Sequence, residues 1–263
     1  MHEPCFRGAD EGNRMLWLLP WKQDSGTRRM PWALYLLMAL NAAVFAWMAS
    51  LPDGGEALTM QYGLPADGAR WDQFLVSDFL HADILHLLGN LLFLWLFGDA
   101  VEDALGPLPF LSLYFAGGLL GDLLYVHNNV GTDIPSIGAS GCISAIAGAY
   151  AMLFHDREMD IRIMLLVFPL KTIAVRALVV LVLWMGADLW FTLRDAGHLP
   201  DGGGVNYVAH GIGLICGLLM GLIARVQGVM RRYEHVETGS RWWGYWPESL
   251  ERGAGRARMR RRR

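Results

Sequence analysis

Apolar runs long enough to cross a bilayer alternate with short polar connections along most of this chain. They fall at about 32–49, 79–98, 108–126, 136–154, 173–192 and 205–224, each close to the ~20 residues that a helix needs to cross ~30 Å of hydrocarbon. The pattern predicts an all-α membrane protein with six transmembrane helices. Six spans return both termini to the same side. Residues 1–30 are polar without sustained periodicity and read as a tail that ends at Pro31, a residue suited to the first turn of the first span. Residues 31–226 form the membrane domain, and 227–263 a second tail. The connection over 50–78 is long enough to be functional or partly embedded, and its Trp71 and Phe74 suit a membrane interface. Ile163 to Leu170 is apolar but interrupted by Pro169 and too short to span, so it reads as an interfacial hairpin leading into the fifth span.

Charge orients these spans. Of the 22 Lys and Arg, all but Arg70 and Arg194 lie in residues 1–30, in residues 225–263, or from Arg157 to Arg176 about the connection between the fourth and fifth spans. Basic residues are retained on the cytoplasmic face during insertion, so both termini are expected in the cytoplasm. The opposite loops carry Asp53, Glu56, Asp67, Asp72, Asp78, Asp133 and Asp201. Leu16 to Pro20 is too short for the apolar core of a signal peptide, so the first span is expected to stay as an anchor. Cys5, Cys142 and Cys216 offer no pair in an extracytoplasmic loop, which argues against a disulfide framework. The C-terminal tail holds Trp242, Trp243, Trp246 and a closing run of arginines. It suits either anionic lipid or a disordered, topology-setting role. With a net charge of −3 and no recognisable nucleic-acid fold, the chain is not expected to bind nucleic acid.

Polar groups inside hydrocarbon are costly and mark function. Ser140 stands in Gly138-Ala139-Ser140-Gly141 at the head of the fourth apolar run; His86 and Asn90 lie in the second run and His210 in the sixth. All three spans run inward from the outer face, which places the four groups in the outer half of the bilayer. His86 and Asn90, at i and i+4, share one helix face and make a plausible donor pair. A serine hydroxyl needs a base to become a nucleophile, and His210 supplies one. Acyl transfer then needs donors for an oxyanion, which His86, Asn90 and the Ser140 N–H can provide. Gly138, Gly141, Ala145 and Gly148 on the fourth span, and Gly213, Gly217 and Gly221 on the sixth, are spaced to let two backbones approach. Taken singly, a transmembrane serine usually bonds its own backbone. Together with two histidines and an asparagine it reads as a site. Cys142, about 200° around the helix from Ser140, is expected to face away from that site.

Four segments in order, His81-Ala-Asp-Ile-Leu-His86-Leu-Leu-Gly-Asn90, Val101-Glu102-Asp103-Ala104-Leu105-Gly106, Gly138-Ala139-Ser140-Gly141 and Ala209-His210-Gly211-Ile212-Gly213, resemble the rhomboid intramembrane serine proteases over about residues 70–226. The resemblance implies a rhomboid-like six-helix bundle with a Ser140/His210 dyad and no acidic third member. It also implies an oxyanion site that includes His86 and Asn90, and transmembrane proteins as substrates. Glu102 and Gly106 then look like a cytoplasmic turn in which Glu102 satisfies backbone donors. Many bacterial members carry a tyrosine four residues after the nucleophile, stacked on the catalytic imidazole, where this chain has Ser144. Many also carry a Trp-Arg pair in the first loop, where this chain has Arg70-Trp71.

The chain is therefore expected to hydrolyse peptide bonds of membrane proteins within the lipid bilayer, without metal or cofactor, in a membrane such as the bacterial inner membrane. Two other readings carry different expectations. An inactive rhomboid-like protein would bind transmembrane clients and need neither Ser140 nor His210. A metal or haem protein would use His81, His86 and His210, but the chain has no histidine pair at i and i+4, and that reading leaves Gly138-Ala-Ser-Gly141 without a role.

Overall fold

The computed structural model describes residues 16–23, 30–131, 134–165, 168–195 and 207–230. Cys5 and the Trp- and Arg-containing C-terminal tail lie outside the described residues. In chain order the elements are β1 (Leu16–Gln23), α1 (Trp32–Ala49), α2 (Glu56–Tyr62), α3 (Gln73–Val76), a 3-10 turn over Ser77–Phe79, and α4 (Ile84–Leu105). There follow α5 (Pro107–Asn128), α6 (Ser140–Leu153), β2 (Glu158–Leu165), β3 (Phe168–Arg176), α7 (Ala177–Asp195) and α8 (Tyr207–Val226). Four of these, α1, α4, α5 and residues Val208–Val226 of α8, are long and apolar enough to cross a membrane; α6 and Ala177–Ala187 of α7 are shorter apolar helices.

Each predicted span has a helix, but the starts differ where capping overrides hydropathy. The second span begins at Ile84 and not at 79, because Asp83 takes an extended conformation and its carboxylate accepts from the N–H groups of Leu85 at 2.8 Å and His86 at 2.9 Å. Such an N-cap satisfies donors that have no partner in the helix. The same helix runs on to Leu105 and ends at Gly106, whose φ of +87° is a left-handed value that glycine tolerates. Pro107 then opens α5 at once. Glu102 reaches from α4 to the start of α1, where its two oxygens accept from Ala33 N–H at 3.0 Å and Leu34 N–H at 2.7 Å. It satisfies backbone donors, as expected, but of α1 and not of a turn.

α6 lies at the centre, with Gly141–Ala151 and Leu153 buried, and packs on α4, α5 and α8. At one end the packing is aromatic: Phe97, Phe110, Tyr150 and Phe154 are all fully buried. Toward Ser140 the contact between α6 and α8 is made by glycine and alanine. A Cβ on Gly213 would overlap the Gly141 carbonyl oxygen, and one on Gly217 the Ala145 carbonyl oxygen. One on Gly221 would lie 2.8 Å from Met152 Cβ. The expected α6–α8 approach is therefore a backbone-to-backbone contact. Large apolar side chains such as Trp47, Leu119, Leu219 and Ile223 point outward instead, as a bilayer solvent permits.

The segment 163–170 is a hairpin, as expected, but a longer one. β2 and β3 pair antiparallel from Glu158↔Arg176 to Leu165↔Phe168, and Ala177 N–H donates to the Arg157 carbonyl at 3.0 Å where α7 begins. β1 adds a third antiparallel strand, Leu16↔Leu165 to Gln23↔Met159. The N-terminal tail thus contains a paired strand, whose partner lies far along the chain and could not be seen from local periodicity. Met159 anchors the sheet in the bundle core.

Because no side chain fits between Gly217 and α6, Gly217→Val should lower stability by about 1–3 kcal/mol through overpacking. Gly186→Ala, on open space in α7, should leave it within about 0.5 kcal/mol. Thermal unfolding in detergent measures both.

Candidate active site

The short α6 sets the position of the nucleophile candidate. Its 14 residues rise only about 21 Å at ~1.5 Å each, less than the ~30 Å of hydrocarbon. If its C-terminus reaches one surface, Ser140, its first residue, starts below the other. The residues ahead of it fill that space and are tied down on both sides. Leu64 and Ser136 exchange two backbone hydrogen bonds at 2.9 and 2.8 Å, and Gly138 N–H donates to the Ser77 carbonyl at 2.9 Å. Ser140 also sits where the first-turn N–H groups of a helix lack intrahelical partners and where the helix dipole favours negative charge.

His86 and Asn90 converge on this turn from α4. A Cβ at Gly138 would lie 2.7 Å from His86 Nε2 and 3.7 Å from Asn90 Nδ2, and the φ of +112° at Gly138 suits glycine alone. Asn90 Nδ2 is buried with no hydrogen-bond partner among the described residues. A buried, unspent donor is destabilising unless something uses it. His81 is buried beside them, its Nδ1 3.2 Å from the Phe79 carbonyl and its ring edge-on to His86 at 5.0 Å. His81 thus closes on the backbone of the 3-10 turn.

His210 approaches from α8. Its own helix turn packs on the first turn of α6, through Ala209, 3.8 Å from a Cβ built at Gly141, and through Gly213. It is 5% exposed. The structure thus brings the N-terminal turns of α4, α6 and α8 together. All four groups lie nearer their helix starts than the apolar runs suggested, since α4 begins late and Ser140 opens α6. Ser144 donates its hydroxyl to the Ser140 carbonyl at 2.8 Å. Trp184 of α7 lies against the His210 ring with centroids 5.9 Å apart and stacks on Phe93 of α4 at 4.6 Å. Sequence reasoning missed it, because an aromatic in an apolar run carries no local mark of its neighbour.

Behind Ser140 lies a buried acidic cluster that sequence reasoning also missed. The Cys142 thiol donates to Asp78 Oδ2 at 3.3 Å, and both sit against Gly118, where a Cβ would be 2.5 Å from the sulfur and 2.6 Å from that oxygen. Cys142 thus turns toward α5. Asp122, one turn beyond Gly118, keeps Oδ2 buried with no hydrogen-bond partner among the described residues. The turn Ser77–Phe79 therefore holds the segment around Ser140 two residues before it, through Gly138, and two after, through Cys142. Burial pushes the Asp78 carboxyl up to about 7. Among the described residues, no three His, Cys, Asp or Glu side chains are grouped to hold a metal ion.

The sequence matches the rhomboid domain over residues 68–227. The chain belongs to the rhomboid family, and its apolar helices make it an integral membrane protein. It is 29% identical over 215 residues to the mitochondrial Rhomboid protein 1 of Saccharomyces cerevisiae, covering 80% of this chain and 58% of that protein. It is 31% identical over 156 residues to the mitochondrial Presenilin-associated rhomboid-like protein A of Danio rerio, covering 57% and 40%. With the Rhomboid protease GluP of Bacillus subtilis it shares 29% over 194 residues, 70% of this chain and 35% of that protein. The chain thus spans little more than half, or less, of these relatives.

The Asp78 carboxyl has a folded-state value near 7 against an ordinary 3.8, so the folded protein holds its proton more tightly than the unfolded chain does. Stability from this group is complete below pH ~4 and is lost as pH rises toward 7. Asp78→Asn should flatten that part of the stability–pH profile. Thermal unfolding from pH 4 to 8 checks it.

Proposed function

We propose that this protein is an intramembrane serine endopeptidase that cleaves transmembrane proteins in or near their spans, with Ser140 and His210 as its catalytic dyad. The observation that carries the reading is the convergence of three helix starts on the Gly138–Ser140 turn, with a buried donor of Asn90 left unspent beside it. Ser140 Oγ attacks the scissile carbonyl while His210 takes its proton and later returns it to the leaving amine. The resulting oxyanion is met by Asn90 Nδ2, His86 and the Ser140 N–H, donors fixed before the charge develops. This chemistry needs no metal or cofactor.

A helical substrate hides its carbonyls in the i to i−4 ladder. It must therefore unwind at the cleaved bond, which Gly or Pro nearby would ease. In this reading residues 31–226 form a six-span membrane domain between cytoplasmic tails 1–30 and 227–263, and the site opens to the extracytoplasmic side. The distribution of Lys and Arg supports that orientation and suits a bacterial inner membrane. Protease-named relatives such as GluP of Bacillus subtilis support the activity.

The test is cleavage of a single-span model substrate by detergent-solubilised protein. Ser140→Ala and His210→Ala should each abolish cleavage while the bundle stays folded; near wild-type cleavage by Ser140→Ala would overturn the reading. Wild type unable to cleave and unreactive to fluorophosphonate would favour a client-binding protein instead. Asn90→Ala should lower kcat on the order of 10- to 1,000-fold with a smaller change in KM, because its donor acts mainly in the transition state. Steady-state kinetics separates the two constants.

A further inference from the structure

We infer that Trp184 is a positioning residue for the His210 imidazole, holding its plane toward Ser140 and stabilising the imidazolium that forms when His210 takes the proton. The inference rests on the Ser140/His210 reading above. α7 turns most of its surface outward: Val179, Val182, Leu183 and Trp190 are all exposed. Trp184 is different. Its indole turns inward, stacked on Phe93 of α4 with centroids 4.6 Å apart and planes 27° apart, and lies against His210 of α8 at 5.9 Å and 37°. One side chain of α7 thus joins the helix that carries Asn90 to the helix that carries the base.

A catalytic imidazole needs such a support. Its χ2 torsion is broad, and a misplacement of about 1 Å at a reacting group can cost on the order of 100-fold in rate. Ser144, one turn after the nucleophile, donates its proton to the Ser140 carbonyl and so is bound to its own helix. The indole supplies what a hydroxyl there does not. Its face limits how the imidazole can turn, and a cation within ~6 Å of an indole centroid is attracted by the ring. That attraction is gained only when His210 is protonated, so it favours the transition state over the ground state.

The rival role for Trp184 is packing alone, joining α7 to α4. The two differ in how Ser140 reacts with a fluorophosphonate small enough to need no separation of helices. Trp184→Leu should slow phosphonylation of Ser140 on the order of 10- to 100-fold and lower kcat for a model substrate more than it raises KM. Trp184→Phe, which keeps an aromatic face, should recover most of the rate. Leu183→Ala, an outward neighbour on α7, should match wild type. Equal labelling rates in wild type and Trp184→Leu would overturn the inference. So would a loss in Trp184→Leu that Trp184→Phe shares in full. Should Trp184→Leu unfold in detergent, Trp184→Met against Trp184→Phe decides in the same way, equal rates overturning the inference. Failure to label Ser140 in wild type would instead overturn the serine-protease reading itself.

Discussion

The backbone contact between α6 and α8 is the constraint on which the rest depends. Gly213 and Gly217 lie against the carbonyl oxygens of Gly141 and Ala145 with no room for a side chain between them. In lipid, where burying apolar surface gives helices little reason to associate, such close approach supplies much of the attraction. It also fixes register. With Gly213 on Gly141, the α8 turn that carries His210 lies at the same end of the pair as the first turn of α6. α5 extends the arrangement, since Gly117 and Gly121 let Ala145 and Ala209 approach from the other side.

A second constraint is the shortness of α6. Fourteen residues leave a space above its N-terminus that a longer helix would have filled with satisfied backbone. The chain fills it with the turn 134–139, pinned by Leu64 and Ser77, and with His86 and Asn90. Helix starts are where backbone donors lack partners. At the start of α6 these donors lie beside Asn90 Nδ2, a buried donor with no hydrogen-bond partner among the described residues. The Asp78–Cys142 contact, packed on Gly118, ties the Ser77–Phe79 turn to α6 and α5 from behind.

Most of this was legible in the sequence, for identifiable reasons. Six apolar runs located six helices because lipid demands length and apolarity over all of a helix surface. The glycine spacing on the fourth and sixth runs pointed to the right pair of helices. Helix starts were less legible: residues 79–83 are apolar enough to read as span, yet the Asp83 carboxylate delays α4 to Ile84. β1 was not visible, since its pairing with β2 joins segments about 140 residues apart. Trp184 and the Asp78–Cys142 pair were hidden for the same reason. Each depends on a tertiary neighbour, and a tryptophan in an apolar run or an aspartate in a connecting loop is ordinary in itself.

A structure of the phosphonylated protein tests the central claim most directly, because a phosphonate on the nucleophile reproduces the tetrahedral oxyanion. The account predicts phosphorus on Ser140 Oγ, its anionic oxygen about 3 Å from Asn90 Nδ2 and the Ser140 N–H, and the His210 imidazole facing the leaving-group position. Phosphorus on another residue, or an oxygen turned away from Asn90 and His210, would contradict it.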